Sequence, residues 1–167
     1  MPPRLRYVGG SAFYGCRNLS EIDVPDSVIE IGSLALAKCT KLKSISIPCG
    51  LRHLKFKTFS ECTDLVSVDL GAESIGERAF SDCSRLSKVV FSKGLKEIGP
   101  FAFEKCVSLR AISLPSSVER IDRTAFFGCD KLVTVNVDPG DGNRIGNLLA
   151  NIGMAKVRVL EKSQTQP

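Results

Sequence analysis

Tryptophan is absent from this chain, histidine occurs once, at His53, and there are only two tyrosines and two methionines. One histidine excludes multi-histidine metal centres and leaves little room for imidazole catalysis. No apolar run approaches the ~18–20 residues of a membrane-spanning helix. The opening residues, MPPRLRYVGG, lack the apolar core of a secretory signal. Neither sign of charge dominates: 23 Lys and Arg face 18 Asp and Glu, for a net charge of +5. What excess there is lies in the second half, after residue 83. With 43% hydrophobic and 25% charged side chains in 167 residues, the composition is that of a folded chain. The length fits one domain or a short array of repeated units.

Repetition is what the sequence has in abundance. Cys16, Cys39, Cys62, Cys83, Cys106 and Cys129 follow one another at intervals of 23, 23, 21, 23 and 23 residues. Three residues after each comes a leucine: Leu19, Leu42, Leu65, Leu86, Leu109 or Leu132. Three before each comes Phe13, Leu36, Phe59, Phe80, Phe103 or Phe126, usually preceded by alanine. Further apolar columns run through Ile22, Ile45, Val68, Val89, Ile112 and Val135, and through Val8, Ile31, Leu54, Ile75, Ile98 and Ile121. Within a unit, Leu109-x-x-Ile112-x-Leu114 ends in strict alternation, which predicts a short strand that Pro115 terminates. Ala125-Phe126-x-x-Cys129 has the three-residue spacing of a tight helical turn. One coil cannot bury its apolar stripe alone, but stacked coils bury a continuous column.

Segments such as VERIDRTAFFGCDKLVTVNV (residues 118–137) and LKEIGPFAFEKCVSLRAISLP (residues 95–115) resemble BspA-type leucine-rich repeats. The resemblance implies an α/β repeat solenoid. Its right-handed coil would carry short parallel strands on a concave face and short helical turns on the convex side. It also implies a protein-binding scaffold with no shared catalytic residue. The expected organisation is six repeats over residues 2–138, a degenerate seventh coil or cap over 139–160, and a disordered tail over 161–167. In the cap, Ile145 to Ile152 reads as a short amphipathic helix and Val157 to Leu160 as a strand. Three departures stand out. Leu36 replaces phenylalanine, Lys55 stands where glycine is expected, and the join from Leu70 to Ile75 is two residues short, which removes an apolar column and predicts a local tightening. Pro2, Leu5 and Val8 align with Pro25, Val28 and Ile31, so the chain is expected to be a segment of a longer array.

The six cysteines in register are expected as free core thiols, since parallel side chains one strand spacing apart make poor disulfide partners and a linear stack cannot form a tetrahedral site. Cys49, outside the register, is expected in a turn, with an exposed and reactive thiol as the alternative. His53 reads as a surface histidine, Asp138 to Asn143 as a turn cluster without calcium-loop spacing, and Asn18-Leu19-Ser20 as a chance glycosylation triplet. No cofactor, metal or catalytic constellation is expected. Nucleic-acid binding is disfavoured because the aromatics are assigned to core columns and the outward strand positions are small and mixed in charge. Those positions, with the strand-edge cations, are the candidate contact residues: Glu21, Asp23, Lys43, Ser44, Ser46, Ser67, Asp69, Lys88, Val90, Arg110, Ser113, Thr134 and Asn136. Six strands at ~4.8 Å spacing give a flat patch of roughly 300–400 Å², below the ~800 Å² per partner of a standard interface. The expected function is therefore a non-catalytic protein-interaction scaffold that contributes part of a longer array. The alternatives are a structural spacer or a module binding carbohydrate or another surface ligand. The expected state is a monomeric solenoid or part of a longer chain, without a membrane span. Free thiols favour a reducing, cytoplasmic compartment, with a cell-surface location if an upstream signal precedes this segment.

Overall fold

The repeat columns of the sequence become rows of side chains in space. A computed structural model describes residues 1–162. In chain order the elements are β1 (Tyr7–Val8), β2 (Glu30–Ile31), β3 (Ser44–Ile47), β4 (His53–Leu54), β5 (Ser67–Leu70), β6 (Ser74–Ile75), β7 (Lys88–Phe91), β8 (Glu97–Ile98), β9 (Ala111–Leu114), β10 (Arg120–Ile121), β11 (Thr134–Val137), α1 (Gly142–Asn151) and β12 (Arg158–Glu161). The four-residue strands form one parallel sheet in the order β12-β11-β9-β7-β5-β3. Its register holds the apolar columns together, pairing Ile45 with Val68, Val68 with Val89 and Val135 with Ile112. The two-residue strands form a second ladder, β10-β8-β6-β4, with β1-β2 as a separate pair. The fold is a parallel-strand solenoid whose core runs the length of the stack.

The segments before each cysteine are not helical turns, which corrects the expectation from their spacing. They run as consecutive turns, and α1 is the single α-helix among the described residues. Alternate amides there point in different directions. Arg78, Phe80 and Asp82 donate to the carbonyls of Pro100, Ala102 and Glu104 in the following coil (3.0, 2.8 and 2.8 Å), while Ala79, Ser81 and Cys83 donate within their own coil to Gly76, Arg78 and Phe80. An α-helix would turn every amide back on its own coil. The outward bonds require left-handed backbone one and five residues before the cysteine: φ is 60° at Asp82 and 54° at Arg78, and 55° and 53° at Lys105 and Phe101. Hydrogen bonding between coils thus outweighs a conformation that costs most residues about 1 kcal/mol or more.

Packing follows the columns closely. Phe59, Phe80, Phe103 and Phe126 stack with ring centroids 5.3, 5.3 and 5.4 Å apart and planes within 7°. The thiols form a parallel file. Cys39, Cys62, Cys83, Cys106 and Cys129 each donate Sγ–H to the carbonyl three residues before the preceding coil's cysteine, at 3.0–3.2 Å. A thiol fits this file as a small apolar group that also satisfies a carbonyl. Cys16, in the first described coil, is the exception and is exposed. At the short join, Ala72 is fully buried, so the apolar column narrows there and does not vanish, and both ladders continue across it.

The second ladder breaks between β2 and β4. Elsewhere the equivalent bonds are present: Gly32 donates to Val8, Gly76 to Leu54 and Gly99 to Ile75. Neither His53 nor Lys55 donates to a backbone carbonyl of the coil containing β2. Gly76 sits so close to its neighbour that a Cβ would lie 2.4 Å from the Leu54 carbonyl oxygen, and Lys55 carries a Cβ in that column. Asp122 occupies the same column with its bond intact, its carboxylate turned onto the Thr124 amide at 2.8 Å. Lys55 instead reaches sideways to Glu30 at 2.6 Å. A cleft of about 470 Å³ opens there, lined by Ile29, Glu30, Gly50, Arg52, His53 and Lys55.

After the last repeat come a helix and the sixth strand of the long sheet. Ile145 and Leu149 of α1 are buried on the last coil, and β12 adds to the edge of β11. The Arg144 guanidinium donates to the carbonyls of Val118 and Ser116 at 2.6 and 2.7 Å. In earlier coils a serine of the next coil does this, as when Ser117 donates to Leu95. Two residues of the expected tail are placed: Glu161 ends β12, and Lys162 pairs with Asp138 at 3.0 Å. The remainder of the expected tail, 163–167, lies outside the described residues.

Candidate functional site

Alternation in the four-residue strands puts every second side chain outside. Two outward rows result. The first runs Ser44, Ser67, Lys88, Ala111, Thr134 and Arg158, and the second runs Ser46, Asp69, Val90, Ser113, Asn136 and Leu160. The sequence-derived candidates on β3 to β11 are therefore brought onto one face. Lys43 and Arg110, exposed, sit immediately before β3 and β9, and their carbonyls accept the amides of Val66 (2.8 Å) and Val133 (3.0 Å). Glu21 and Asp23 are placed differently. Their segment forms no strand, and they lie beside Ser44 and Ser46 across a shallow depression at the end of the sheet.

Sequence reasoning missed two members of the face. Arg158 and Leu160 belong to the same two rows because the cap strand joins the sheet. The signal was the alternation in Val157-Arg158-Val159-Leu160, without a repeat column to assign it to this face. A second correction concerns the aromatics, which are not all committed to the core. Tyr7, Tyr14, Phe56 and Phe127 are exposed. On the turn side, Phe101 meets Phe127 edge-on at 6.3 Å, and the Arg78 guanidinium lies 4.5 Å from the centre of the Phe101 ring.

The strand face is polarised along the stack. Glu21, Asp23 and Asp69 lie toward its β3 end. From β7 to β12 the outward rows hold Lys88 and Arg158 and no acid. Among the described residues neither these two nor Arg110 lies within ion-pair distance of a carboxylate, whereas cations elsewhere pair between coils, as in Arg120–Glu97 (2.9 Å) and Lys96–Glu73 (3.3 Å). Beyond the strand ends, Lys162 donates to Asp138 and holds its carboxyl below the usual carboxylate range.

Burial raises Cys39 to about 11 and Cys62 to about 12, and pushes Cys83 and Cys106 well above the ordinary thiol value, so these four remain protonated at neutral pH, whereas hydrogen bonding with Cys106 lowers Cys129. Cys49 is exposed in its turn. His53 is exposed, its Nδ1 2.6 Å from the Ser74 hydroxyl.

Comparison with known proteins gives consistent findings. The model of the BspA type leucine-rich repeat region matches residues 1–73 and 67–161, in six copies. A leucine-rich repeat protein from Eubacterium ventriosum is 37% identical over 72% of this chain and 33% of its own, with a TM-score of 0.69. The T. pallidum leucine-rich repeat protein is 30% identical over 93% of this chain and 78% of its own, with a TM-score of 0.76. A leucine-rich cell surface protein from Faecalibacterium prausnitzii, 22% identical over 99% of this chain and 53% of its own, shares the fold with a TM-score of 0.59. The chain thus spans a third of the Eubacterium protein and about half of the Faecalibacterium one. A search of curated proteins gave no match.

Proposed function

The chain belongs to the BspA-type leucine-rich repeat family, and from that premise we propose that it is a non-catalytic protein-interaction scaffold that binds through the outward rows of its long sheet. The observation that carries this reading is the unpaired charge on that face. Along the second ladder, cations are matched to acids of the neighbouring coil, yet Lys88, Arg110 and Arg158 are left to solvent. The modest area of the face supports a role as one part of a larger contact surface in a longer array. Its reduced thiols fit a reducing compartment. Replacement of Asp23, Ser46 and Asp69 by lysine tests the reading in affinity capture from the source cell. Loss of a captured protein, with the circular dichroism spectrum unchanged, supports a scaffold. No captured protein at any stringency supports a structural spacer.

A further inference from the structure

The half of the strand face between β7 and β12 has the form of a trough. On β7, Lys88 and Val90 stand two residues apart on the outer side, and on β12 Arg158 and Leu160 do the same. Val90 is 45% exposed and Leu160 49% exposed. Between them, β9 and β11 present only Ala111, Ser113, Thr134 and Asn136, of which the last three are half-buried. Two grooves share this ground. One of about 340 Å³ is bordered by Val90, Lys93, Ser113 and the Lys162–Asp138 ion pair, and one of about 230 Å³ by Lys88, Val90, Ala111 and Asn136, both on the β7 side of the floor, with the β12 side chains beyond them. Each wall is thus a cation beside an aliphatic group, and the floor is small and hydrogen-bonding.

We propose that this trough receives an acidic, extended peptide segment of a partner protein, with carboxylates at positions i and i+4 and an aliphatic residue at i+2. The proposal rests on the reading of the strand face as the binding surface and names the partner's chemistry there. Three strand spacings of ~4.8 Å separate β7 from β12, about 14 Å, and four residues of extended chain at ~3.3 Å each span nearly the same distance. Residues i, i+2 and i+4 share one side of such a segment. Its two acids then meet Lys88 and Arg158, while the middle side chain lies over the Ala111 and Thr134 part of the floor, with Val90 and Leu160 flanking the segment. Ser113, Thr134 and Asn136 offer hydroxyl and amide groups to the segment's backbone. A polyanion is a poorer fit, because it would use a dense row of cations, and nucleic acid would use aromatic platforms, of which the outward rows have none.

The probe is a flanked Glu-Ala-Val-Ala-Glu peptide, compared with its Gln-Ala-Val-Ala-Gln counterpart by amide-shift titration of the intact chain. The expected result is saturable shifts in β7, β9, β11 and β12 with the glutamate peptide only, weakened by added salt. Affinity should fall at least about tenfold in the Lys88→Glu/Arg158→Glu variant, which corresponds to about 1.4 kcal/mol. The milder Lys88→Gln/Arg158→Gln variant gives a second reading if the first is misfolded. Equal binding of the glutamine peptide, absence of shifts, shifts on another surface, tighter binding of a heparin-derived oligosaccharide, or self-association abolished by Lys88→Glu would each overturn the proposal. Affinity capture separates this failure from that of the wider reading. A partner lost with Asp23, Ser46 and Asp69 changed but retained with Lys88→Glu/Arg158→Glu leaves the strand face standing as the binding surface. A partner retained by both variants removes it.

Discussion

Single side chains in this molecule gain their meaning from the coil before them. Cys83 is buried because the Phe59 carbonyl awaits its thiol, and Phe80 is buried because Phe59 and Phe103 cover both faces of its ring. That much was legible from the sequence, since a residue type recurring every 23 positions specifies its own neighbours. Cys16 was misread as buried because a column records residue type and says nothing of what lies beyond the outermost coil. Two consequences can be measured. Phe80→Ala should lower unfolding free energy by ~3–5 kcal/mol through the cavity it leaves, and a change below about 1 kcal/mol in denaturant titration would contradict the stack. The pH dependence has a fixed sign. Thiols whose ionisation is suppressed in the folded state but begins near pH 8.5 in the unfolded chain stabilise fully below that pH, and their contribution falls as pH rises toward 11–12. Unfolding followed from pH 7 to 11 should therefore show a steep alkaline loss, reduced in Cys83→Ala relative to its own neutral-pH stability. On the acid side, hydrogen bonds from Thr124 hold Asp122 below its ordinary range. Its contribution is present above about pH 4 and disappears as pH falls through the depressed value.

At the scale of elements, the four-residue strands β3, β5, β7, β9 and β11 were legible, whereas the second ladder of two-residue strands and the turns were not, and the strand expected at Glu21 to Val24 does not form. Alternation such as Ile112-x-Leu114 has one geometric solution in a half-buried strand. The Ala125-Phe126-x-x-Cys129 spacing has two, a helical turn or a run of tight turns with left-handed residues, and local periodicity cannot choose between them. The choice is made by amides that bond to the next coil, which is a property of the stack. Lys55 illustrates the same dependence, since its effect is visible only where the facing coil should have approached. The break between β2 and β4 gives a direct test by hydrogen exchange. The amides of His53 and Lys55 should exchange much faster than those of Ser74 and Gly76, which donate to Arg52 and Leu54 at 3.0 and 2.7 Å. Equal protection would show that the ladder is continuous.

For the molecule as a whole, the C-terminal helix and strand and the face are parts of one arrangement. Arg144 bonds a carbonyl whose counterpart in an earlier coil is taken by a serine, and β12 extends the sheet on which Lys88 and Arg158 share the outer row. Arg144→Ala leaves two acceptors without this donor and should cost about 1–2 kcal/mol, read as a lowered midpoint with exchange accelerated first in α1 and β11. From β3 to β11 the outward positions were legible from alternation, whereas Glu21 and Asp23 fall outside any strand and the basic end depended on where β12 would pair. The central claim is that the outward rows of the long sheet make contact with a partner. Cross-saturation from a captured partner to the labelled chain tests it most directly. The expected footprint covers Val90, Ser113, Asn136 and Leu160 and leaves Phe56, Phe101 and Phe127 untouched, and a footprint on those three phenylalanines with the sheet silent would contradict it.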